Sequence, residues 1–244
     1  MSSESFATLA SQGYNRVPVA RTVLADLDTP LSVYLKLADA PFTYLFESVQ
    51  GGERWGRYSI IGLPARTILT VRGYEVIVTT DGKDVERSTV SDPLAFVEAF
   101  QQRYRVAPVP GLPKFNGGLV GFFGYDCVRY VEKKLAACVK PDPIGAPDIQ
   151  LMLSEDVVVF DNLKGELFLV THADPAEAGA EGAAKKRLDA LTVRLRASLD
   201  TKAMHDSVNA CVTETDFVSS FGQDAYKRGV DHIKNYVLSG DIMQ

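Results

Sequence analysis

The sequence predicts an α+β fold in which antiparallel β-sheets pack against helices. Short β-prone segments follow one another through hairpin links, and single helices separate the groups of strands. The chain has 244 residues, of which 46% are hydrophobic, and this is enough for one large or two modest cores. Hairpin rather than crossover links favour antiparallel sheets over a parallel sheet.

The first predicted helix follows the pair Thr29-Pro30, which has the form of an N-cap and a proline at the first helical position. Apolar residues then recur at helical spacing, at Leu31, Tyr34, Leu35 and Ala38. We expect this short amphipathic helix to end before Pro41, because proline breaks regular structure.

Four strand-like segments follow, at residues 43–46, 58–61, 67–71 and 74–79. The last segment leads into Asp81-Gly82, a dipeptide favoured in tight hairpin turns because both positions tolerate positive φ. This part of the chain is therefore predicted to form an antiparallel sheet.

Asp92-Pro93 repeats the cap-and-proline signal of a helix start. The buried stripe of this second helix is predicted at Leu94, Val97, Phe100 and Tyr104. A proline-rich connector leads into residues 117–124, where the glycines do not match the dinucleotide-binding fingerprint. Close backbone packing in a buried strand is the favoured interpretation of these glycines.

A hairpin is predicted from residues 156–160 and 166–170, and a helix from residues 175–199. The apolar seam of that helix is Leu188, Leu191 and Leu195. Residues 200–214 are predicted to be a mobile polar link. The last predicted helix has its apolar face at Tyr226, Val230, Ile233 and Val237, with Gly240 as its C-terminal cap.

Composition excludes several classes of protein. The net charge of −5, without a basic stripe, argues against nucleic-acid binding. The densest apolar run, at residues 119–123, is far shorter than the ~20 residues needed to cross a bilayer, and the first residues lack a signal peptide. Cys127, Cys138 and Cys211 form no Cys-x-x-Cys pair, so neither disulfides nor a zinc site are favoured. We expect a soluble cytoplasmic protein that does not contact membranes.

The candidate binding residues are Glu47, Ser48 and Arg57. They lie on two strand-like segments that a polar, glycine-rich loop joins. A carboxylate, a hydroxyl and a guanidinium suit a ligand that carries both an ammonium and a carboxylate group, as an amino acid does. The alternative is that the same three side chains form ordinary surface hydrogen bonds.

These segments, together with residues 116–126, resemble the amino-terminal half of anthranilate synthase component I. The resemblance runs from about residue 14 to the last residue, Gln244. In that family a Leu-Leu-Glu-Ser element forms part of the site where tryptophan binds and inhibits, and residues 45–48 here read Leu-Phe-Glu-Ser. The resemblance implies that Ser48, Glu47 and Arg57 bind L-tryptophan as a feedback inhibitor.

The resemblance also implies the activity of the intact enzyme, which converts chorismate and ammonia into anthranilate and pyruvate. It implies a Mg²⁺ cofactor, a glutamine amidotransferase subunit that supplies the ammonia, and assembly as a heterotetramer. The general acid and base groups and the magnesium-binding glutamates of the family lie beyond the position of Gln244. We therefore expect no catalytic residue and no metal ligand in this chain, and no activity from it alone.

The predicted domain boundaries follow from the same resemblance. Residues 1–27 form an amino-terminal arm, and residues 28–172 form the regulatory domain. Residues 173–214 form a helix and the polar link, and residues 215–244 begin a chorismate-binding domain that the chain does not complete.

The sequence is also compatible with three other functions. The first is the aminating component of 4-aminobenzoate synthesis, whose amino-terminal half is related. The second is a non-catalytic tryptophan-binding module, and the third is a structural subunit without a ligand site. His172, His205 and His232 have no partner at metal-ligand spacing, so we expect all three to be non-catalytic.

Overall fold

The computed structural model describes residues 3–38, 40–47, 56–137, 142, 144–199 and 211–243. The chain divides into two compact units, residues 1–199 and residues 200–244. The described strands and helices confirm the predicted α+β class, since every strand pairing within the two sheets is antiparallel.

The strands are β1 (Val17–Leu24), β2 (Tyr44–Phe46), β3 (Tyr58–Gly62), β4 (Thr67–Arg72), β5 (Glu75–Thr80), β6 (Lys83–Thr89), β7 (Gly118–Phe123), β8 (Ile149–Ser154), β9 (Asp156–Asp161) and β10 (Glu166–Ala173). The α-helices are α1 (Ser3–Ser11), α2 (Pro30–Leu37), α3 (Pro93–Gln102), α4 (Val128–Val131), α5 (Ala180–Leu195) and α6 (Gln223–Ser239). Short 3₁₀-helices lie at Tyr125–Cys127, Lys133–Leu135 and Glu214–Asp216.

The strands of the first unit form two five-stranded sheets. The first sheet has the order β1-β10-β9-β3-β2, and the second has the order β6-β5-β4-β8-β7. The antiparallel neighbours β3 and β9 continue directly into the neighbours β4 and β8, with only residues 63–66 and Glu155 between them. This two-stranded ribbon therefore passes from one sheet into the other and connects them.

Each sheet has its own hydrophobic core. In the first sheet, β1, β9 and β10 pack against α2 and α5, and this core includes Val33, Leu37, Val158, Leu169 and Leu188. In the second sheet, β4, β5 and β8 pack against α3 around Phe100. Burial of such aliphatic and aromatic side chains is the main stabilising contribution to a fold of this kind.

Both predicted helix caps are confirmed. The Thr29 side chain accepts a hydrogen bond from the backbone N–H of Ser32, and the Ser32 hydroxyl accepts one from the N–H of Thr29. Asp92 accepts hydrogen bonds from the backbone N–H groups of Leu94 and Ala95. These bonds satisfy donors that a helix start leaves unpaired.

The predicted apolar face of α2 is correct in part. Ala38 is buried and Tyr34 packs against the core, as predicted, but Leu31 is 50% exposed and Leu35 is 36% exposed. Val33 and Leu37, which were not predicted, are completely buried. The helix has only eight residues, with apolar side chains on most sides, so its own spacing does not define which side faces the core. Packing against the first sheet and α5 selects the face that carries Val33 and Leu37.

The other predicted elements are present with small differences in their ends. The hairpin turn at Asp81-Gly82 has the expected positive φ values of 51° and 75°. The seam of α5, Leu188, Leu191 and Leu195, is buried as predicted. No segment was predicted from the sequence for α1, β1, β6, β8 or the short helix α4.

The second unit, in its described part, contains a 3₁₀-helix and α6. The helix α6 ends as predicted at Gly240, which has a left-handed φ of 78°. Tyr226, Ile233 and Val237 lie on one face and are between 42% and 64% exposed. Most of the predicted polar link, residues 200–210, lies outside the described residues.

The glycine-rich strand β7 was predicted to be buried, and this is wrong, because β7 is an edge strand with Phe122 and Phe123 exposed. The predicted close backbone packing is confirmed at Gly121. A Cβ atom added there would lie 1.9 Å from the carbonyl oxygen of Gln150 on β8. Only glycine allows the two strands to approach this closely.

We expect Gly121→Ala to destabilise the chain by roughly 1–3 kcal/mol, because the added methyl group must force β7 away from β8. Gly182→Ala is the matched control, since a Cβ at Gly182 in α5 meets nothing within 4 Å. Urea denaturation followed by circular dichroism measures both. Equal midpoints for Gly121→Ala and the parent chain would contradict this account of the β7–β8 contact.

Candidate functional site

The candidate site lies at one end of the β2–β3 pair. Phe46 pairs with Ile60 in antiparallel register, so Glu47, which follows β2, and Arg57, which precedes β3, lie at the same end of the two strands. Glu47 is exposed. The third predicted site residue, Ser48, lies outside the described residues.

The Arg57 side chain is bound by a buried carboxylate. Its Nε lies 3.1 Å from Oδ1 and 3.2 Å from Oδ2 of Asp161, and its Nη2 lies 2.8 Å from Oδ2. Asp161, at the end of β9, is 1% exposed, whereas the Arg57 side chain is 32% exposed. Asp161 therefore binds one edge of the planar guanidinium through two nitrogens. This is the bidentate geometry of a strong arginine–carboxylate pair.

The turn between β9 and β10 also holds the backbone around Arg57. The backbone N–H of Asn162 donates to the carbonyl of Arg57 at 2.8 Å. The Asn162 side-chain amide donates to the carbonyl of Gly56 at 3.1 Å and to the hydroxyl of Ser59 at 3.2 Å. Asp161 and Asn162 together fix residues 56–59 on both the side-chain and the backbone level.

The electrostatics of the pair agree with its geometry. Burial alone would raise the pKa of the Asp161 carboxyl, but hydrogen bonds from Arg57 and from the backbone N–H groups of Lys164 and Leu163 hold this pKa below its ordinary value. The hydrogen bond to Asp161 raises the pKa of Arg57 further above its ordinary value. Both groups are therefore charged at neutral pH.

The structure places two of the three predicted residues at one end of the same strand pair, and it adds Asp161 and Asn162. In the sequence these two residues lie in the turn of the hairpin predicted from residues 156–160 and 166–170, and this position gave no signal of a binding site. Asp161 lies 104 positions from Arg57, and only the pairing of β3 with β9 brings them together.

Comparison with known proteins decides the family. A family model described as chorismate binding enzyme matches residues 44–244, which is more than half of the chain. The chain belongs to the chorismate-binding enzyme family.

Two curated relatives of this chain carry the same name. A protein named anthranilate synthase component 1 from Pseudomonas aeruginosa is 55% identical over 244 residues, which are 100% of this chain and 50% of that protein. A protein of the same name from Neisseria meningitidis serogroup B is 46% identical over 247 residues, covering 100% of this chain and 49% of that protein. The chain thus spans about half the length of the curated relatives that it matches.

One solved structure that resembles the chain is a crystal structure of anthranilate synthase component I from Streptococcus pneumoniae TIGR4. The likeness covers 73% of this chain and 37% of that chain, with a TM-score of 0.48 and 24% sequence identity.

A second polar region of this chorismate-binding family member is a cleft of about 220 Å³ at the place where the two sheets join α5. Arg16 binds Glu155 at 2.9 Å and Asp174 at 3.1 Å. Arg187 binds Asp156 at 3.3 Å. The three arginines of the cleft wall, Arg16, Arg66 and Arg187, each form an ion pair with a carboxylate of the protein, so we interpret the cleft as part of the junction between the sheets.

His172 lies in the wall of this cleft. Its Nδ1 donates to the carbonyl of Glu155 at 2.9 Å, and the side chain is buried. Burial lowers the pKa of His172, while the carbonyl of Glu155 and the charges of Glu155 and Asp156 oppose this effect and Arg16 adds to it. The imidazole is therefore neutral in the folded chain at neutral pH.

Other site classes find no support among the described residues. No group of three or more His, Cys, Asp or Glu side chains in the described ranges could hold a metal ion. None of the described helices is long and apolar enough to span a membrane. Cys127 and Cys211 are free thiols, His232 contacts Tyr236 on its own helix, and Cys138 and His205 lie outside the described part of the chain.

The neutral state of His172 predicts how stability depends on pH. Below about pH 6.5 the unfolded chain takes up a proton at this histidine that the folded chain does not, so the free energy of unfolding should fall as pH falls. Gln cannot titrate but can still donate to the Glu155 carbonyl. Thermal denaturation between pH 8 and pH 5 should therefore show a smaller loss of melting temperature in His172→Gln than in the parent. Parallel losses in the two proteins would contradict this.

Proposed function

We propose that this chain is the regulatory half of the large, aminating component of anthranilate synthase. The observation that carries the proposal is 55% identity along the whole chain to a relative named anthranilate synthase component 1, within the chorismate-binding family. The intact enzyme would convert chorismate and ammonia into anthranilate and pyruvate. The names of the relatives favour anthranilate over 4-aminobenzoate as the product.

The partner and the cofactor are part of the same proposal. The name "component 1" supports a second component, which we propose to be a glutamine amidotransferase that supplies ammonia to the cytoplasmic complex. A Mg²⁺ ion would require hard oxygen ligands. The described residues provide no such cluster, so we assign no step of the reaction to a metal held by this chain.

The proposed role of this half is to bind L-tryptophan as the feedback inhibitor. The ligand carries an ammonium and a carboxylate, and the end of the β2–β3 pair carries charges of both signs in Glu47 and Arg57. Glu47 and Ser48 would bind the ammonium, and Arg57 would approach the carboxylate. The Nη1 atom of Arg57 makes no hydrogen bond with any residue that the structure describes. Its N–H groups can therefore donate hydrogen bonds to the carboxylate of such a ligand.

The proposed regulation depends on two domains. We keep residues 28–172 as the proposed regulatory domain and residues 215–244 as the start of the chorismate-binding domain. Tryptophan bound at the end of the β2–β3 pair would inhibit by binding more tightly to an inactive state of the enzyme than to the active state. The size of the inhibition is then limited by this difference in affinity.

We expect Ser48→Arg in the full-length enzyme to raise the concentration of L-tryptophan needed for half inhibition by about tenfold or more, because a hydrogen bond to a charged group is worth about 1.5–3 kcal/mol. Turnover without tryptophan should stay near that of the parent. The measurement is the rate of anthranilate formation, followed by fluorescence, over a tryptophan titration.

Ser11→Arg is the control, since it adds the same side chain at an exposed serine at the end of α1. It should leave inhibition unchanged. Equal inhibition of Ser48→Arg and the parent would refute the proposed site, and a lack of anthranilate formation by the parent enzyme would refute the proposed activity.

A further inference from the structure

The buried carboxylate of Asp161 has more hydrogen bonds than the turn requires. Its Oδ1 accepts from the backbone N–H of Leu163 at 3.2 Å and of Lys164 at 3.3 Å. These two bonds already stabilise the β9–β10 turn, as an aspartate does at the start of many turns. The second oxygen, Oδ2, receives its hydrogen bonds from Arg57 alone among the described residues.

Arg57 is held in one orientation by this arrangement. Asp161 binds the Nε and Nη2 edge of the guanidinium, and the guanidinium carbon lies 4.9 Å from the centre of the Tyr58 ring. Free arginine side chains lose considerable rotational freedom when they bind a ligand. Because Asp161 and Tyr58 have already restricted Arg57, a ligand that binds Nη1 loses less of its binding energy to ordering this side chain.

The charge of Asp161 also limits what Arg57 can do. A carboxylate that is 1% exposed is strongly destabilising without its partner, since an unpaired buried charge is costly. Arg57 therefore stays at Asp161 whether or not a ligand is present. The guanidinium shares its charge over all three nitrogens, so Nη1 still offers a charged donor pair to a second carboxylate.

We propose that Asp161 is a positioning residue of the regulatory site, which orients the guanidinium of Arg57 so that Nη1 can bind the carboxylate of an α-amino acid ligand. This inference rests on the proposed function of Arg57 and adds a residue that acts only through it. Asp161 does not itself contact the ligand, because its two oxygens are already occupied by Arg57 and by the turn.

The test uses Asp161→Asn in the full-length enzyme. Asparagine keeps one oxygen, in the place of Oδ1, that can accept from Leu163 and Lys164, so the turn is retained. It replaces Oδ2, the only partner of Nη2 among the described residues, with an amide that cannot accept, so Arg57 keeps at most its single bond from Nε. We expect the Kd for L-tryptophan, measured by calorimetry, to rise about tenfold, which corresponds to about 1.4 kcal/mol. The KM for chorismate should stay within twofold of the parent.

A double-mutant cycle with Arg57→Gln shows whether Asp161 acts through Arg57. We expect Arg57→Gln alone to weaken tryptophan binding, and Asp161→Asn to have no further effect when Arg57→Gln is already present. The double variant also avoids a buried carboxylate without a partner, so it stays measurable if Arg57→Gln alone fails to fold. Asp92→Asn, which keeps its cap bonds at the start of α3, is the matched control and should bind as the parent does.

The outcomes separate the two proposals. If the parent binds tryptophan and Asp161→Asn lowers the melting temperature but leaves the Kd within twofold, the positioning role is overturned and the regulatory site stands. Additive effects of Asp161→Asn and Arg57→Gln would also overturn it, because Asp161 would then act independently. Absence of tryptophan binding by the parent would overturn the proposed function, and the positioning role with it.

Discussion

The pairing of β3 with β9 is the constraint on which the rest of the first unit depends. Tyr58 pairs with Asp161 and Gly62 with Val157. Beyond this pairing, the segment of β3 continues as β4 and the segment of β9 adjoins β8, and β4 and β8 pair in the second sheet. A slip of one residue in this register would turn every side chain of β3 to the opposite face. It would also separate Arg57 from Asp161, so the same register fixes the fold and the candidate site.

The ion pair at the end of this ribbon links stability to binding. Taking the Asp161 carboxylate out of water is costly, and Arg57 with the turn N–H groups offsets that cost. Arg57 therefore contributes to the stability of the fold whether or not a ligand is bound. The Arg57–Asp161 pair differs from a simple surface ion pair, which contributes little to stability. Asp161 is buried, and the Nη1 atom of Arg57 makes no hydrogen bond with the described residues.

The features that were predicted correctly have local causes. The caps at Thr29 and Asp92 and the turn at Asp81-Gly82 depend on neighbouring residues and could be read directly from the sequence. Two features that were not predicted depend on contacts between distant segments. The buried face of α2 is chosen by the sheet and α5, and Asp161 meets Arg57 only because of a strand pairing between residues about a hundred positions apart. Glu47 and Arg57 were suggested by residue type, but their order along the chain does not reveal the partner that holds Arg57.

An NMR titration of the ¹⁵N-labelled chain with L-tryptophan, in which the Nε–Hε signal of Arg57 and the backbone signals of Tyr58 and Asn162 are followed, tests whether the ligand binds at Arg57. We expect these signals to shift together and give one Kd, while signals from α3, which packs on the second sheet, stay in place. An unchanged Arg57 signal, while tryptophan shifts signals around the cleft at Arg16 and His172, would contradict binding at Arg57.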